Sequence, residues 1–311
     1  MIKPQWLRKP PAPFAGSTRV RGAIARQGLH TVCRQARCPN MGQCYSRGTA
    51  TFLILGDVCS RNCGFCAIGH GKPGGVADIG EPERVAQAAA ELGLGHVVVT
   101  SVTRDDLPDG GAAIFAATIG ALKARLPGAT LEVLTPDFAG NMEAVDTVAT
   151  AGPDVFNHNM ETVRQLYGVV RPQGDYERSL QLLAHIRRFH PGVIAKSGFM
   201  LGLGETMPQV ERLMGDLVHA GCQVATIGQY LAPSKNHLQV AEYIRPEVFG
   251  QLSRLGEQMG FAKVFAGPFV RSSYMAGELL KGALVESSSI SAEEFTDTAT
   301  RDENSECTGY N

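Results

Sequence analysis

Acidic residues are missing from the first fifty positions of this 311-residue chain, which carry nine Lys and Arg between them. An acid-poor, basic start can mark an organelle transit peptide, but the prolines of "MIKPQWLRKPPAPF" spoil an amphipathic helix. No secretory apolar core follows that stretch, and no apolar run anywhere reaches membrane-spanning length. The expectation is therefore a mature cytoplasmic protein that engages no membrane. A polyanion-binding charge excess is lacking too: Lys and Arg total 29 and Asp and Glu total 30, so no nucleic-acid partner is expected. Neither a G-x-G-x-x-G fingerprint nor a Walker A loop is present, and "GLGE" at 202–205 is too short to count as a dinucleotide motif.

Cysteine is abundant by contrast, and unevenly placed. Six of the eight cysteines fall between Thr31 and Gly71, as Cys33-x4-Cys38-x5-Cys44 and Cys59-x3-Cys63-x2-Cys66. In a reducing compartment such clusters read as metal ligands rather than disulfides. Each triplet lacks the fourth cysteine of a closed structural site. Three thiolates in a tight loop can hold three irons of a four-iron, four-sulfur cluster and leave the fourth free for a small molecule. A zinc knuckle is the other reading of three such cysteines. Cys222, at a helix-to-strand junction, and Cys307, near the C-terminus, read as ordinary thiols.

Beyond the cysteines the chain alternates. Apolar, β-rich runs at 51–55, 96–101, 130–135, 155–158, 193–199, 223–230 and 263–266 predict strands. Helical patterns lie between them at 81–93, 112–125, 142–151, 176–189, 207–220 and 246–259. The first of these helices has Pro82 near its start and Gly93 just past its end. Strand–helix alternation at this spacing predicts βα units on a parallel sheet. About six repeats without a Rossmann fingerprint predict a partial (β/α)6, TIM-like barrel. Four regions follow: an irregular extension over 1–50 with the first triplet, a barrel over 51–266, a C-terminal helical segment over 267–286, and a polar tail over 287–311. The tail holds six acids and one base and is expected to be disordered. The basic extension suits an acidic partner, although a solvated face explains it as well.

The second triplet directly follows the strand "TFLILGD", at the strand end where barrel active sites form. With aromatic Phe65 before its last cysteine, it resembles the motif of the radical S-adenosylmethionine superfamily. The first triplet, paired with "RSSY" at 271–274, resembles lipoyl synthase within that superfamily. Further stretches similar to that family run over most of residues 3–283, among them "CPNMGQC", "SVTRDDLPDGGA", "FNHNMETV", "KSGFMLGLGET" and "TIGQYLAPSKNHL". Tyr45, Ser60, Gln239 and the pair Lys235–Asn236 depart from the family pattern.

The resemblance implies a transferase of lipoate biosynthesis with two [4Fe-4S] clusters and S-adenosyl-L-methionine as cofactors. Cys59, Cys63 and Cys66 would hold the cofactor-binding cluster. Cys33, Cys38, Cys44 and Ser273 would hold an auxiliary cluster consumed as the sulfur source. A radical would remove hydrogen from C6 and C8 of an octanoyl chain carried by a lipoyl-domain or carrier protein. A low-potential donor such as ferredoxin or flavodoxin would supply electrons. Phe65 in the second triplet, Thr100 and Ser101 at the end of the second strand, Asn159 and Glu161 at the end of the fourth, and Arg171 would contact S-adenosylmethionine. Ser273 also fits the N-cap of a following helix, with Ser272 as the alternative ligand. His158 is expected to be a structural hydrogen-bonding residue, and "GFMLGLGE" a turn or an adenine contact. Asp105 and Asp106 have the chemistry of general bases, which a radical reaction does not need. Two rival readings are a biotin synthase-like sulfur inserter or maturase, and a metal-binding interaction module.

Overall fold

The computed structural model describes residues 3–8, 15–47 and 49–273. Seven parallel strands form its frame: β1 (Thr51–Ile54), β2 (His96–Ser101), β3 (Thr130–Leu134), β4 (Val155–Asn157), β5 (Ile194–Leu201), β6 (Val224–Gln229) and β7 (Lys263–Gly267). Six helices connect them in turn: α1 (Glu81–Leu92), α2 (Ala112–Arg125), α3 (Met142–Thr150), α4 (Tyr176–Phe189), α5 (Met207–His219) and α6 (Pro246–Met259). Each strand pairs with the next in chain order, giving an open, sequentially wound α/β sheet: the partial (β/α)6 barrel expected from the alternation. All seven strands and six helices stand where the sequence pattern puts them. Only the ends differ, by one or two residues, where caps rather than hydrophobic period decide. Gly93, for instance, takes a left-handed φ of +67° and ends α1 at Leu92.

The first fifty residues differ from expectation. They are not irregular: they hold a helix at Ala15–Arg26, short helices at Val32–Gln35 and Met41–Ser46, and a strand at His30–Thr31. That strand extends the sheet antiparallel to β1, with His30 opposite Leu53 and Thr31 opposite Phe52. Val20 and Ala23 anchor the long helix in the core. Its apolar stripe is short and diluted by Gly22 and three arginines, so its period is hard to read. The helix after "RSSY" and the acidic tail lie outside the described residues.

The strands divide their side chains between two environments. Val97, Val99, Leu131, Val133, Phe156 and Ala195 pack in one apolar cluster, while Phe199, Leu201, Ala225 and Ile227 pack in another, both built with the helices. The alternate positions face inward. There Glu132, Lys196 and Thr226 are buried, and Thr100, Leu134, Gly198 and Met200 line a cavity. The interior is thus polar below and open toward the C-terminal strand ends. No helix among the described residues is long and apolar enough to cross a membrane.

Close packing of α6 on β7 makes one position intolerant. A methyl group at Gly256 would meet Val264 Cγ2 at 2.6 Å and Met214 Cε at 2.8 Å. Gly256→Ala is expected to destabilise the protein by about 1–3 kcal/mol through overpacking. An unchanged urea midpoint for the cluster-free protein would show that α6 sits farther from the sheet.

Candidate functional site

The loop after β1 is closed on itself before it carries any chemistry. Val58–Cys59 pairs in parallel with Gly69–His70, and Gly71 N donates to Cys59 O at 2.9 Å. From below, a buried ion network pins the loop. Arg61, inside the Cys59–Cys63 interval, donates from Nε and Nη2 to the two Asp105 oxygens, each at 2.8 Å. Its Nη2 also lies 2.7 Å from Asp137 Oδ1, a carboxylate with no solvent exposure. Burial alone would push the Asp137 carboxyl up, but the Arg61 guanidinium outweighs it and holds the pKa at about 2. From above, the 234–238 loop covers the motif. His237 Nε2 lies 3.1 Å from Cys66 O, and Leu238 N donates to Gly64 O at 3.0 Å.

Cys59, Cys63 and Cys66 line a pocket of about 170 Å³ together with Ser101, Asn159, Glu161 and Arg171. Cys59 Sγ accepts from Thr103 N at 3.3 Å and Arg61 N at 3.4 Å, which fixes the place of this sulfur. The other two thiols resist ionising on their own. Burial, with Glu161 and Cys59 adding to it against Arg171, pushes Cys63 up to about 11; burial and its cysteine neighbours push Cys66 to about 12. Three sulfurs on one pocket, two of them buried thiols that a bound cation would help to ionise, fit the donor set of an iron–sulfur cluster.

The first triplet meets the same chamber. Cys33 lies in a helix capped by Thr31, and Cys38 N donates to Cys33 O at 3.1 Å. Burial drives the Cys33 thiol to about 12, with the Cys38 and Cys44 charges adding to it, so the three sulfurs sense one another. Cys33, Cys38, Cys66 and Ser273 all line one cavity of about 440 Å³, and Phe65 borders both this cavity and the smaller pocket. Cys44 borders neither cavity. Asn40, two residues after Cys38, donates from Nδ2 to Phe269 O at 2.7 Å and so ties the first triplet to the segment carrying "RSS".

The remaining predicted residues gather here with distinct states. Thr100 Oγ1 donates to Leu134 O at 2.7 Å, so its proton is already committed. The Ser101 hydroxyl, by contrast, is buried without a partner at the edge of both cavities. Asn159 and Glu161 were expected to end the fourth strand, but β4 stops at Asn157 and both lie beyond it, Glu161 in an isolated parallel bridge to Phe199. Glu161 takes a left-handed φ of +66°, held by Glu161 N to Gly198 O at 3.0 Å and Met200 N to Glu161 O at 2.9 Å. Its carboxyl accepts from Asn159 Nδ2 at 2.9 Å, and burial pushes its pKa up against the opposing pull of Arg171. Arg171 is buried and donates from Nη1 to Asn159 O at 2.7 Å and Tyr167 OH at 3.2 Å.

His158 is structural. Its Nδ1 donates to Thr135 O at 2.9 Å, Nε2 sits 3.0 Å from Ser179 Oγ, and burial lowers its pKa to about 4. Asp105 and Asp106 are not free bases, since each carboxylate is bound by an arginine, Arg61 and Arg104. The 202–205 segment is a turn, in which Glu205 accepts from Gly202 N and Leu203 N. Outside the site, Asp146 Oδ1 lies 2.7 Å from both His185 Nε2 and His190 Nε2, and these groups satisfy one another as a staple between α3 and the end of α4. Sequence reasoning missed Arg61 and Asp137. Arg61's place inside the cysteine motif was the available signal, whereas nothing local marks Asp137.

Residues 53–217 match the family model described as "Radical SAM superfamily". The chain is 54% identical over 274 residues to the lipoyl synthase of Caldanaerobacter subterraneus subsp. tengcongensis, covering 88% of this chain and 95% of that one. It is 50% identical over 281 residues to the lipoyl synthase of Rubrobacter xylanophilus, covering 90% of this chain and 87% of that one. The chain belongs to the lipoyl synthase family. As a lipoyl synthase it is a radical S-adenosylmethionine sulfurtransferase, whose cofactors are two [4Fe-4S] clusters and S-adenosylmethionine. Among solved structures it is similar in fold to HydG, a maturase of the [FeFe]-hydrogenase, at a TM-score of 0.50 and 15% identity, covering 78% of this chain and 61% of that one.

The ion network under the cysteine loop generates a test. Arg61→Met leaves Asp137 buried beside only Arg178, at 3.4 Å, and is expected to cost about 3–5 kcal/mol. Arg61→Met/Asp137→Asn is expected to recover much of that loss. Urea denaturation of the cluster-free protein measures both, and a single variant as stable as wild type would remove the network from the account.

Proposed function

We propose that this lipoyl synthase inserts sulfur at C6 and C8 of an octanoyl-lysine on a carrier protein, with the two cysteine triplets acting at separate stations of one chamber. The observation that carries the reading is the shared cavity: Cys33 and Cys38 of the first triplet, Cys66 of the second and Ser273 all line it. Cys59, Cys63 and Cys66 hold the cluster that binds S-adenosylmethionine. Cys33, Cys38, Cys44 and Ser273 hold the auxiliary cluster. When bound, these groups supply the radical and sulfur chemistry that no side chain can supply, because an alkyl C–H bond is beyond acid–base catalysis.

The protein's own part is binding, orientation and exclusion of water. Ser101 offers an uncommitted hydroxyl to S-adenosylmethionine, and Glu161 a carboxylate that gains from a cationic neighbour. Asn159 and Arg171 fix Glu161 and frame the ribose and methionine groups, while Thr100 braces the wall behind them. Phe65 closes the apolar side between the two stations. Between the two serines, the geometry favours Ser273 as ligand, since the Ser272 hydroxyl already donates to Asn159 Oδ1 at 2.9 Å. A serine oxygen is a harder ligand than thiolate, which suits a cluster that is to be dismantled.

In this reading residues 1–50 are a cluster-binding extension across the mouth of the 51–266 barrel. Residues 267–273 return to complete the extension's site; the rest of the 267–286 segment and the 287–311 tail lie outside the described residues. The acid-free extension suits an acidic partner, either the octanoylated carrier or a ferredoxin- or flavodoxin-like donor. The absence of a disulfide at Cys33, Cys38, Cys59, Cys63, Cys66 and Cys222 suits a cytoplasmic setting, and the balanced charge suits a protein without nucleic-acid or membrane partners.

Replacing Cys59, Cys63 and Cys66 by Ala is expected to halve the iron per chain and abolish 5′-deoxyadenosine formation. Replacing Cys33, Cys38 and Cys44 by Ala is expected to halve the iron, spare 5′-deoxyadenosine and abolish thiolated peptide. Ser273→Ala is expected to lower thiolated peptide far more than 5′-deoxyadenosine, and Ser272→Ala to have the smaller effect. Equal loss of cleavage in both folded triplet variants would contradict the division of labour. Wild-type product from Ser273→Ala alongside failure of Ser272→Ala would move the ligand to Ser272.

A further inference from the structure

The barrel interior holds a charge that the proposed chemistry has not used. Lys196 projects inward from β5 with 3% exposure, and an isolated ammonium there would cost several kcal/mol. Glu132, on β3 and fully buried, lies against it with Nζ–Oε1 at 2.8 Å and Nζ–Oε2 at 3.0 Å. Asn157 Nδ2 donates to the same carboxylate at 3.0 Å and steadies it.

An ammonium has three N–H groups, and two are spent on Glu132. The third donates to the backbone carbonyl of Ser272 at 2.7 Å. A pair serving only the barrel would have no need of that contact, which reaches the residue next to Ser273. The seat around it is shaped to receive the loop. A methyl group at Gly198 would meet Ser272 Oγ at 2.8 Å, and one at Gly228 would collide with the carbonyl of Val270, so both strands are bare where the 267–273 segment lies on them. Ser272 Oγ bonds Asn159 from the cofactor side, and Asn40 holds Phe269 O from the first triplet's side. Side-chain hydrogen bonds from three directions thus meet this short segment, and only the one from Lys196 comes from beneath.

We infer that Lys196, charged and aimed by Glu132, is a positioning residue for sulfur insertion: it clamps the Ser272 carbonyl so that Ser273 faces the chamber of the first triplet. This inference rests on the reading of Ser273 given above. It adds an anchor in the barrel interior, through which the strands set the place of a loop that otherwise belongs to the mouth.

Lys196→Met alone strands a buried carboxylate, so the informative variant is Lys196→Met/Glu132→Leu, in which an apolar pair replaces the ionic one. Should that chain fail to fold, Lys196→Gln/Glu132→Gln answers the same question with a neutral pair. Two quantities are read. The first is amide exchange of the peptide covering 267–273 in the cluster-free protein, expected to rise about tenfold while β3 and β5 stay protected. The second is the ratio of thiolated peptide to 5′-deoxyadenosine in the cluster-loaded enzyme, expected to fall about tenfold. Both changes together support the clamp. Unchanged exchange, or raised exchange with an unchanged ratio while Ser273→Ala lowers it, overturns the clamp as a positioning device. If Ser273→Ala also leaves the ratio at wild type, the ligand reading fails instead, and exchange alone then decides whether Lys196 anchors the segment.

Discussion

Three thiols at the mouth of this barrel, Cys33, Cys63 and Cys66, are too buried to ionise by themselves, and much of the surrounding structure answers that constraint. Cys33 and Cys66 are pushed to about 12 and Cys63 to about 11, chiefly by loss of water, with neighbouring sulfurs adding to the cost. A cation has to arrive before they become thiolates, which is the condition under which iron binds. Guanidinium groups stand close by: Arg61 under the second triplet, Arg171 beside Cys63, and Arg271 in the field of Cys38 and Glu161. Each of these charges is tied to a carboxylate, a carbonyl or a phenol, so the positive field is held in place.

That fixed field depends on a barrel whose interior is polar. Sheet alternation sends apolar side chains outward to the helices and leaves Glu132, Asn157, Lys196 and Thr226 inside. Within this layer every donor of the Lys196 ammonium is used, which is how a buried charge becomes tolerable. The same layer reaches upward into the site, since the Lys196 carbonyl accepts from His158 N and the Gly198 carbonyl accepts from Glu161 N. The pocket at the second triplet, the larger chamber and the "RSS" segment therefore share one set of supports. Displacing any one of them disturbs the neighbours before it reaches the helices.

The frame was readable because each buried strand is a short apolar run, such as His96–Ser101, and each helix has its period and caps, such as Pro82 and Gly93 around α1. The cysteine triplets were readable because their thiols lie close together in sequence. The N-terminal helix was not, because its apolar stripe is narrow and its arginines dominate the composition. Least readable were the charge pairs. Lys196 and Glu132 lie 64 residues apart and look like ordinary interruptions in two apolar strands. Asp137 looks like a loop acid until the fold brings Arg61 onto it. Ser272 and Ser273 are alike in sequence, and what separates them is the bond from Ser272 to Asn159, a contact across the barrel.

The central claim is that two cysteine stations in one chamber carry out sulfur insertion on an octanoyl chain. The most direct measurement is anaerobic incubation of the cluster-loaded protein with S-adenosylmethionine, a low-potential reductant and an octanoyl-lysyl peptide, followed by mass spectrometry. The account predicts about eight irons per chain at the start, two four-iron clusters' worth, and a peptide that has gained two sulfur atoms by the end. A fully loaded sample that yields neither 5′-deoxyadenosine nor sulfur-bearing peptide would contradict it.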